Sequence, residues 1–165
     1  YNTNRKELGP NDLLVSDIGA EYRGYTADVT RTIPVSGTFD KEQTIIYNLV
    51  LEAQQKAVEA CQPGNKFWDP HNVATKIITN GLIKLGIVDK AYNVQRYFMH
   101  GTSHYLGLDV HDVEERTRPF EAGMVFTVEP GIYIPRKLGI RIEDSVLMEN
   151  RAKVLTRVTK DLLII

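Results

Sequence analysis

Three of the four histidines, His100, His104 and His111, crowd into one stretch, MHGTSHYLGLDVHD at 99–112. Imidazole serves as base, acid or neutral metal ligand near neutral pH, so such a cluster points to chemistry before packing. Four carboxylates also stand in settings that ask for an explanation. Asp17 lies in the otherwise apolar LLVSDI and Glu129 in VFTVEPG, where an ionised group is costly to bury unless it is paired or holds a metal. Asp28 and Glu143 fall in segments with one polar face, and each alone reads as a solvated or ion-paired acid. Together, four carboxylates and one neutral imidazole converging on a sheet require positive charge in order to coexist. Two divalent cations balance them, four charges against four. An oxygen-rich donor set with a single nitrogen suits Mn²⁺ or a similar hard-to-borderline ion. Two such ions about 3.5–4 Å apart share a water and lower its pKa. The chemistry this points to is metal-assisted hydrolysis.

The elements that must position these residues follow from periodicity. LLVSDI (13–18) and VTRTIPV (29–35) are rich in β-branched and apolar residues, and GAEYRGY between them carries turn-like glycines, which predicts a β-hairpin. From Lys41 to Ala60 the residues Ile45, Ile46, Leu49, Ala53, Ala57 and Ala60 recur at helical spacing until Pro63 and Gly64 stop them. A second helix starts at Asp69 with Pro70 at its first position, buries Val73, Ile77, Leu82 and Leu85, and ends before Gly86. GMVFTVEPGIYIP and IRIEDSVLM read as short strands about the turn-prone RKLG, a second hairpin-like unit. Each unit presents two carboxylates, Asp17 and Asp28 in the first, Glu129 and Glu143 in the second. An internal pseudo-two-fold accounts for this, with two unrelated hairpins as the alternative. The expected architecture is one α+β domain over 1–165, an antiparallel sheet with helices covering one face.

Composition narrows the partners. A net charge of −1 with no Lys/Arg block lacks the electrostatic footprint of a nucleic-acid or anionic-membrane binder, so the expected partner is small or uncharged. No apolar run approaches the roughly 18–20 residues of a membrane span, and YNTNRKELGPND lacks the basic and apolar regions of a signal peptide. A single cysteine, Cys61, permits no intrachain disulfide and fits a reducing compartment, so cytoplasm is the expected location. Cys61 itself reads as a small hydrophobe at a helix end.

The strings SDIGAEYRGYTADVTRT, MHGTSHYLGLDVHD, FTVEPGIYI and GIRIEDSVLM, in this order, closely resemble the aminopeptidase P and prolidase branch of the pita-bread (creatinase/aminopeptidase) metallopeptidases. The resemblance implies a dinuclear site in which Asp17 chelates one metal ion, Asp28 and Glu143 bridge both, and His104 with Glu129 bind the other. It assigns His100 and His111 to the substrate and the tetrahedral intermediate, Arg141 to the pocket near the proline ring, and Tyr133 to the active site. Glu129 becomes the proton shuttle as well as a ligand. The implied cofactor is a pair of Mn²⁺ ions, with Co²⁺ or Zn²⁺ as alternatives, and the implied substrate a peptide with proline in second position. Such a bond is a tertiary amide with no N–H for other proteases to grip; a metal-bridging hydroxide hydrolyses it. His71, outside every motif, reads as a surface histidine. Tyr105 and Phe98 read as core aromatics rather than as a wall for proline.

Aminopeptidase P and Xaa-Pro dipeptidase (prolidase) stay open as alternatives, because groups that recognise a free proline carboxylate often come from the part of the fold ahead of this stretch. A pita-bread binding module without peptidase activity is a reading of another class, and creatine-type amidinohydrolases are a further one; the full set of five ligands argues against both. Methionine aminopeptidases share the ligand pattern, but the SHYLGLDVHD context resembles the proline-specific branch more closely. The resemblance also implies leading strands, a helix and an active-site histidine just ahead of Tyr1. The chain is therefore expected to be a catalytic-domain fragment of a parent that forms dimers or tetramers, with its activity in isolation open.

Overall fold

The computed structural model describes residues 5–113 and 115–162; the expectation that rests on Tyr1 lies outside them. The first hairpin forms as its sequence predicts. β1 (Leu13–Ile18) pairs antiparallel with β4 (Val29–Pro34), which sets Asp17 opposite Thr30. The intervening residues add a smaller hairpin, β2 (Glu21–Tyr22) with β3 (Tyr25–Thr26). Its two turn residues, Arg23 and Gly24, take φ of 53° and 86°, the backbone that a tight two-residue turn requires. Gly19 is needed for a different reason. A Cβ there would lie 2.0 Å from the Ala27 carbonyl oxygen, so the absence of a side chain lets the end of β1 run close beside the segment carrying Asp28.

Helix α1 (Lys41–Ala60) starts on a capping box: the Asp40 side chain accepts from Gln43 N, and the Gln43 side chain accepts from Asp40 N, satisfying donors that a helix start leaves open. It buries Ile46, Tyr47, Val50, Ala53 and Ala57. Ile45, expected inside, is exposed. Helix α2 (Asp69–Lys84) begins with Pro70 in its first turn and closes at Gly86, where φ is 69°, a common helix-ending conformation. Its inner face is Pro70, Ala74, Ile78, Thr79 and Leu82. Of the expected stripe Leu82 is buried, but Val73 and Ile77 are half-buried and Leu85 is exposed; the inner positions beside them are Ala74 and Ile78, the first too small to stand out in the pattern.

The second unit departs from two long strands. β5 (Val125–Val128) pairs with β8 (Asp144–Met148), which also carries β9 (Ala152–Val154); β6 (Gly131–Ile134) and β7 (Leu138–Arg141) form their own hairpin. The chain therefore breaks between β5 and β6 at Glu129, and between β7 and β8 at Glu143. All these pairings are antiparallel, but the expected sheet is a set of short ladders. A bridge between Thr30 and Glu143 joins the first unit to the second. α1 packs on α2 and on β5, β6 and β7, enclosing a core in which Ile46, Val50, Ile78, Phe126, Ile132 and Ile140 are almost wholly buried. Each such side chain contributes about 1.5–3 kcal/mol through burial, which fixes the strand ends where the carboxylates emerge.

Candidate metal centre

The residues singled out by type converge on one open cavity of about 990 Å³, lined by Asp17, Asp28, His104, Glu129 and Glu143 together with His100, His111, Tyr133 and Arg141. Register explains much of this. Asp17 lies opposite Thr30, and Thr30 is bridged to Glu143, so a single cross-strand row carries two of the acids. Thr30 donates its hydroxyl to Glu143 Oε2 at 2.6 Å and accepts from Arg141 Nε at 3.2 Å. The segment 102–104 is laid along β5 by two backbone bonds, Glu129 N to the Thr102 carbonyl at 2.8 Å and Thr127 N to the His104 carbonyl at 2.9 Å.

His104 is oriented as a ligand. Its Nδ1 faces the Tyr105 carbonyl at 3.3 Å, which assigns the ring proton to that nitrogen and turns the Nε2 lone pair toward the acids. Nε2 stands 3.4 Å from Glu129 Oε1, 3.6 Å from Asp28 Oδ2 and 3.8 Å from Glu143 Oε1. One ligand atom from each of Asp28, His104 and Glu143 lies within 4.8 Å of the others. The His111 ring stacks on His104 with centroids 4.1 Å apart.

The electrostatics are those of a donor set short of positive charge. Burial, then the neighbouring Glu129, pushes Glu143 up to about 9. Burial pushes Glu129 up to about 7 although Arg141 pulls it down, and burial with Asp17 raises Asp28 to about 6. Arg141 supplies one cation: it is buried, pairs with Asp17, lies 3.9 Å from Glu129 and donates to the Tyr133 hydroxyl at 3.0 Å. One guanidinium does not balance four carboxylates. Glu143 Oε1, buried, has no hydrogen-bond partner among the described residues, and an ionised oxygen so placed is costly without a cation. The donor set fits divalent metal.

Asp17, costly to bury without a partner, is 36 % exposed at its side chain and paired with Arg141. One sequence expectation is corrected. His71 is not a surface histidine. It is half-buried, lines the same cavity and meets Thr102. Phe98 is buried as expected yet also lines the cavity, whereas Tyr105 stacks on Phe67 at 4.9 Å. Trp68, Gln95, Ser103 and Arg116, unremarked in the sequence, complete the far wall. Thr30 had a signal: two positions from Asp28 on a strand, it must share its face.

Carboxylates and an imidazole gathered in this way, on strand ends of an α+β fold, define a metal-centre protein. The chain belongs to Metallopeptidase family M24, whose profile matches residues 1–150. It is 44% identical over 168 residues to the Xaa-Pro aminopeptidase of Escherichia coli, covering 90% of this chain and 38% of that protein. It is 42% identical over 163 residues to the Xaa-Pro dipeptidase of Pyrococcus furiosus, covering 96% and 43%. Among solved structures it superposes on the aminopeptidase PepP of Pseudomonas aeruginosa with a TM-score of 0.90 at 36% identity, over 97% of this chain and 42% of that one. The fold is thus that of the aminopeptidase P structures, and the chain spans about two fifths of the length of these relatives. No described helix is long and apolar enough to cross a membrane.

Proposed function

We propose that the protein is a metal-dependent exopeptidase that removes the residue in front of proline from peptide N-termini, in the manner of an aminopeptidase P. The observation that carries this reading is His104 Nε2 aimed at three acids, one of which, Glu143, keeps a buried oxygen without a hydrogen-bond partner among the described residues. Asp17, Asp28, His104, Glu129 and Glu143 would hold two divalent ions, Mn²⁺ by preference. When bound, these supply Lewis acidity and a water activated near neutral pH.

The chain's own groups do the rest. Glu129, on the cavity wall beside His104 Nε2 at 3.4 Å, is placed to take a proton and pass it to the leaving proline nitrogen. Arg141 donates to Tyr133, and His100 presents Nδ1 to the Gly101 carbonyl at 2.8 Å and Nε2 to the Tyr133 hydroxyl at 2.7 Å. Burial keeps His100 neutral by lowering its pKa, so Nε2 accepts from the hydroxyl and His100 acts on substrate by orienting Tyr133. His111, on the exposed side of His104, is placed to donate to the developing oxyanion.

A second reading, Xaa-Pro dipeptidase, draws support from the likeness to the P. furiosus dipeptidase. The test offers Ala-Pro-Ala, Ala-Pro and Met-Ala-Ser together to the Mn²⁺-loaded full-length protein, with products followed by liquid chromatography. Tripeptide cleavage ahead of Ala-Pro supports the aminopeptidase, and the reverse order supports the dipeptidase. If neither proline peptide is cut by protein holding two metal ions, both readings fail. The buried, unpaired Cys61 is consistent with a cytoplasmic location, and the family likeness favours a dimer or tetramer.

A further inference from the structure

His71, in the first turn of α2, has no part in the reading above, yet it is tied to the segment that carries two of the site's histidines. Its Nδ1 lies 2.9 Å from Thr102 Oγ1, and its Nε2 lies 3.4 Å from Thr75 Oγ1 one helical turn on. The ring rests on Phe98 at 5.3 Å and takes the Trp68 ring at 5.6 Å edge-on. Phe98 in turn meets the His100 ring at 5.4 Å.

Thr102 is the point where these contacts gain leverage. It sits midway between His100 and His104 and is almost fully buried. Its carbonyl takes the backbone N–H of Glu129, while its side chain meets the imidazole of His71. Beside it, Gly101 is exposed and a Cβ there would meet nothing within 4 Å, so the segment is open on that side and needs a tether from the other. An imidazole meets both demands of the place. Its carbon face packs among aromatic rings, and its nitrogen reaches a hydroxyl that a phenyl ring of the same size would leave unmet.

We propose that His71 is a positioning residue for the metal centre: through Thr102 it sets the segment that aims His104 and fixes the backbone of Glu129. The proposal rests on the reading of the site as a divalent-metal centre. Groups bonded directly to a ligand typically govern metal affinity or activity by about 10–100-fold; His71 stands one residue further back and reaches the ligands through Thr102, and that range sets the scale of the test.

The experiment uses the full-length protein with Co²⁺ as the probe, read by titration, by visible absorption and by steady-state cleavage of Ala-Pro-Ala. H71F keeps the ring packing and removes both nitrogens. It is expected to lower Co²⁺ affinity or kcat by about 10–100-fold and to alter the Co²⁺ spectrum, with KM moved less than about threefold. H71N, which returns a polar group near the Nδ1 position, is expected to recover most of the loss. T102V removes the other half of the bond without touching α2, so it decides the matter even where H71F fails to fold. The H71F/T102V double variant is expected to be no worse than either single change. Wild-type affinity and spectrum in both single variants, or a fully additive double variant, overturns the proposal. A wild-type protein that cuts no Xaa-Pro peptide defeats the peptidase reading alone, because the Co²⁺ titration and spectrum still decide the role of His71.

Discussion

Glu143 and Asp144 are consecutive, equally buried at 1 % and 0 % exposure, and point to opposite sides of the chain. Asp144 is surrounded by matched partners. Arg31 reaches its Oδ1 at 2.7 Å, and Lys160 and Gln54 reach its Oδ2 at 2.6 Å and 3.0 Å. The same guanidinium donates to the carbonyls of Thr30, Glu143, Val158 and Thr159, using every donor of its fork. Glu143, one residue earlier, faces Asp28 and Glu129 across His104 and keeps one oxygen without a hydrogen bond among the described residues. The difference separates a carboxylate whose partners are all in place from one that, on the proposed metal-centre reading, would be completed by a cation.

The strongest way to sharpen that contrast is to break the complete side. Asp144→Ala leaves the buried Arg31 and the half-buried Lys160 without their carboxylate and is expected to cost roughly 3–5 kcal/mol, read by urea denaturation, with the same loss whether or not Mn²⁺ is present. Glu143→Gln should do the opposite. The metal-free protein should melt at or above the wild-type temperature, and the stabilisation by Mn²⁺, about 2.7 kcal/mol at a hundredfold excess over Kd, should vanish. A Glu143→Gln protein still stabilised by Mn²⁺ to the wild-type extent would erase the distinction.

Acidity offers a finer probe. Asp28, Glu129 and Glu143 have ordinary values of 3.8, 4.5 and 4.5 and folded values raised to about 6, 7 and 9. Between those limits the folded chain binds more protons than the unfolded one, so stability falls as pH rises. The metal-free protein is thus expected to melt lower at pH 8 than at pH 5, and the gain on adding Mn²⁺ to be larger at pH 8 than at pH 5, because fewer protons compete for the ligands. A melting series that rises from pH 5 to 8 without metal would contradict this. Tyr133→Phe, which deletes the hydroxyl shared by Arg141 and His100, should lower kcat about tenfold, equivalent to about 1.4 kcal/mol, with metal content unchanged. At the small end, Lys137→Ala removes an exposed 2.7 Å pair with Glu42 and should alter stability by no more than about 1 kcal/mol.

What could be read from the sequence was what is local. The span of α1 is legible because apolar residues recur at helical spacing from Lys41 and Pro63 and Gly64 mark its end; the capping box at Asp40 and Gln43 is seen only in the fold. The four acids and the imidazole are legible because each sits in a short string of characteristic neighbours. The exposure of Asp17 is not, since it depends on which part of β1 the rest of the fold leaves uncovered. The role of Arg31 and Asp144 was hidden for a related reason: in TRT and EDS they look like ordinary charged residues, and their pairing spans 113 positions. His71 escaped because nothing in WDPHN says that a segment some 30 residues later will pack against it. Most of the α2 stripe is hidden because bulky Val73, Ile77 and Leu85 lie off the contact while small Ala74 lies in it.

The Arg31 fork also sets a timetable. It closes on carbonyls 127 and 128 residues further along the chain, and the same fork holds the Glu143 backbone. Contacts of such separation form late, after the entropy of closing a long loop has been overcome. During synthesis, Asp17, Asp28, His104 and Glu129 leave the ribosome before the segment that locks the last acid in place, so if these residues hold metal as proposed, their full set would be assembled only once that later segment has emerged.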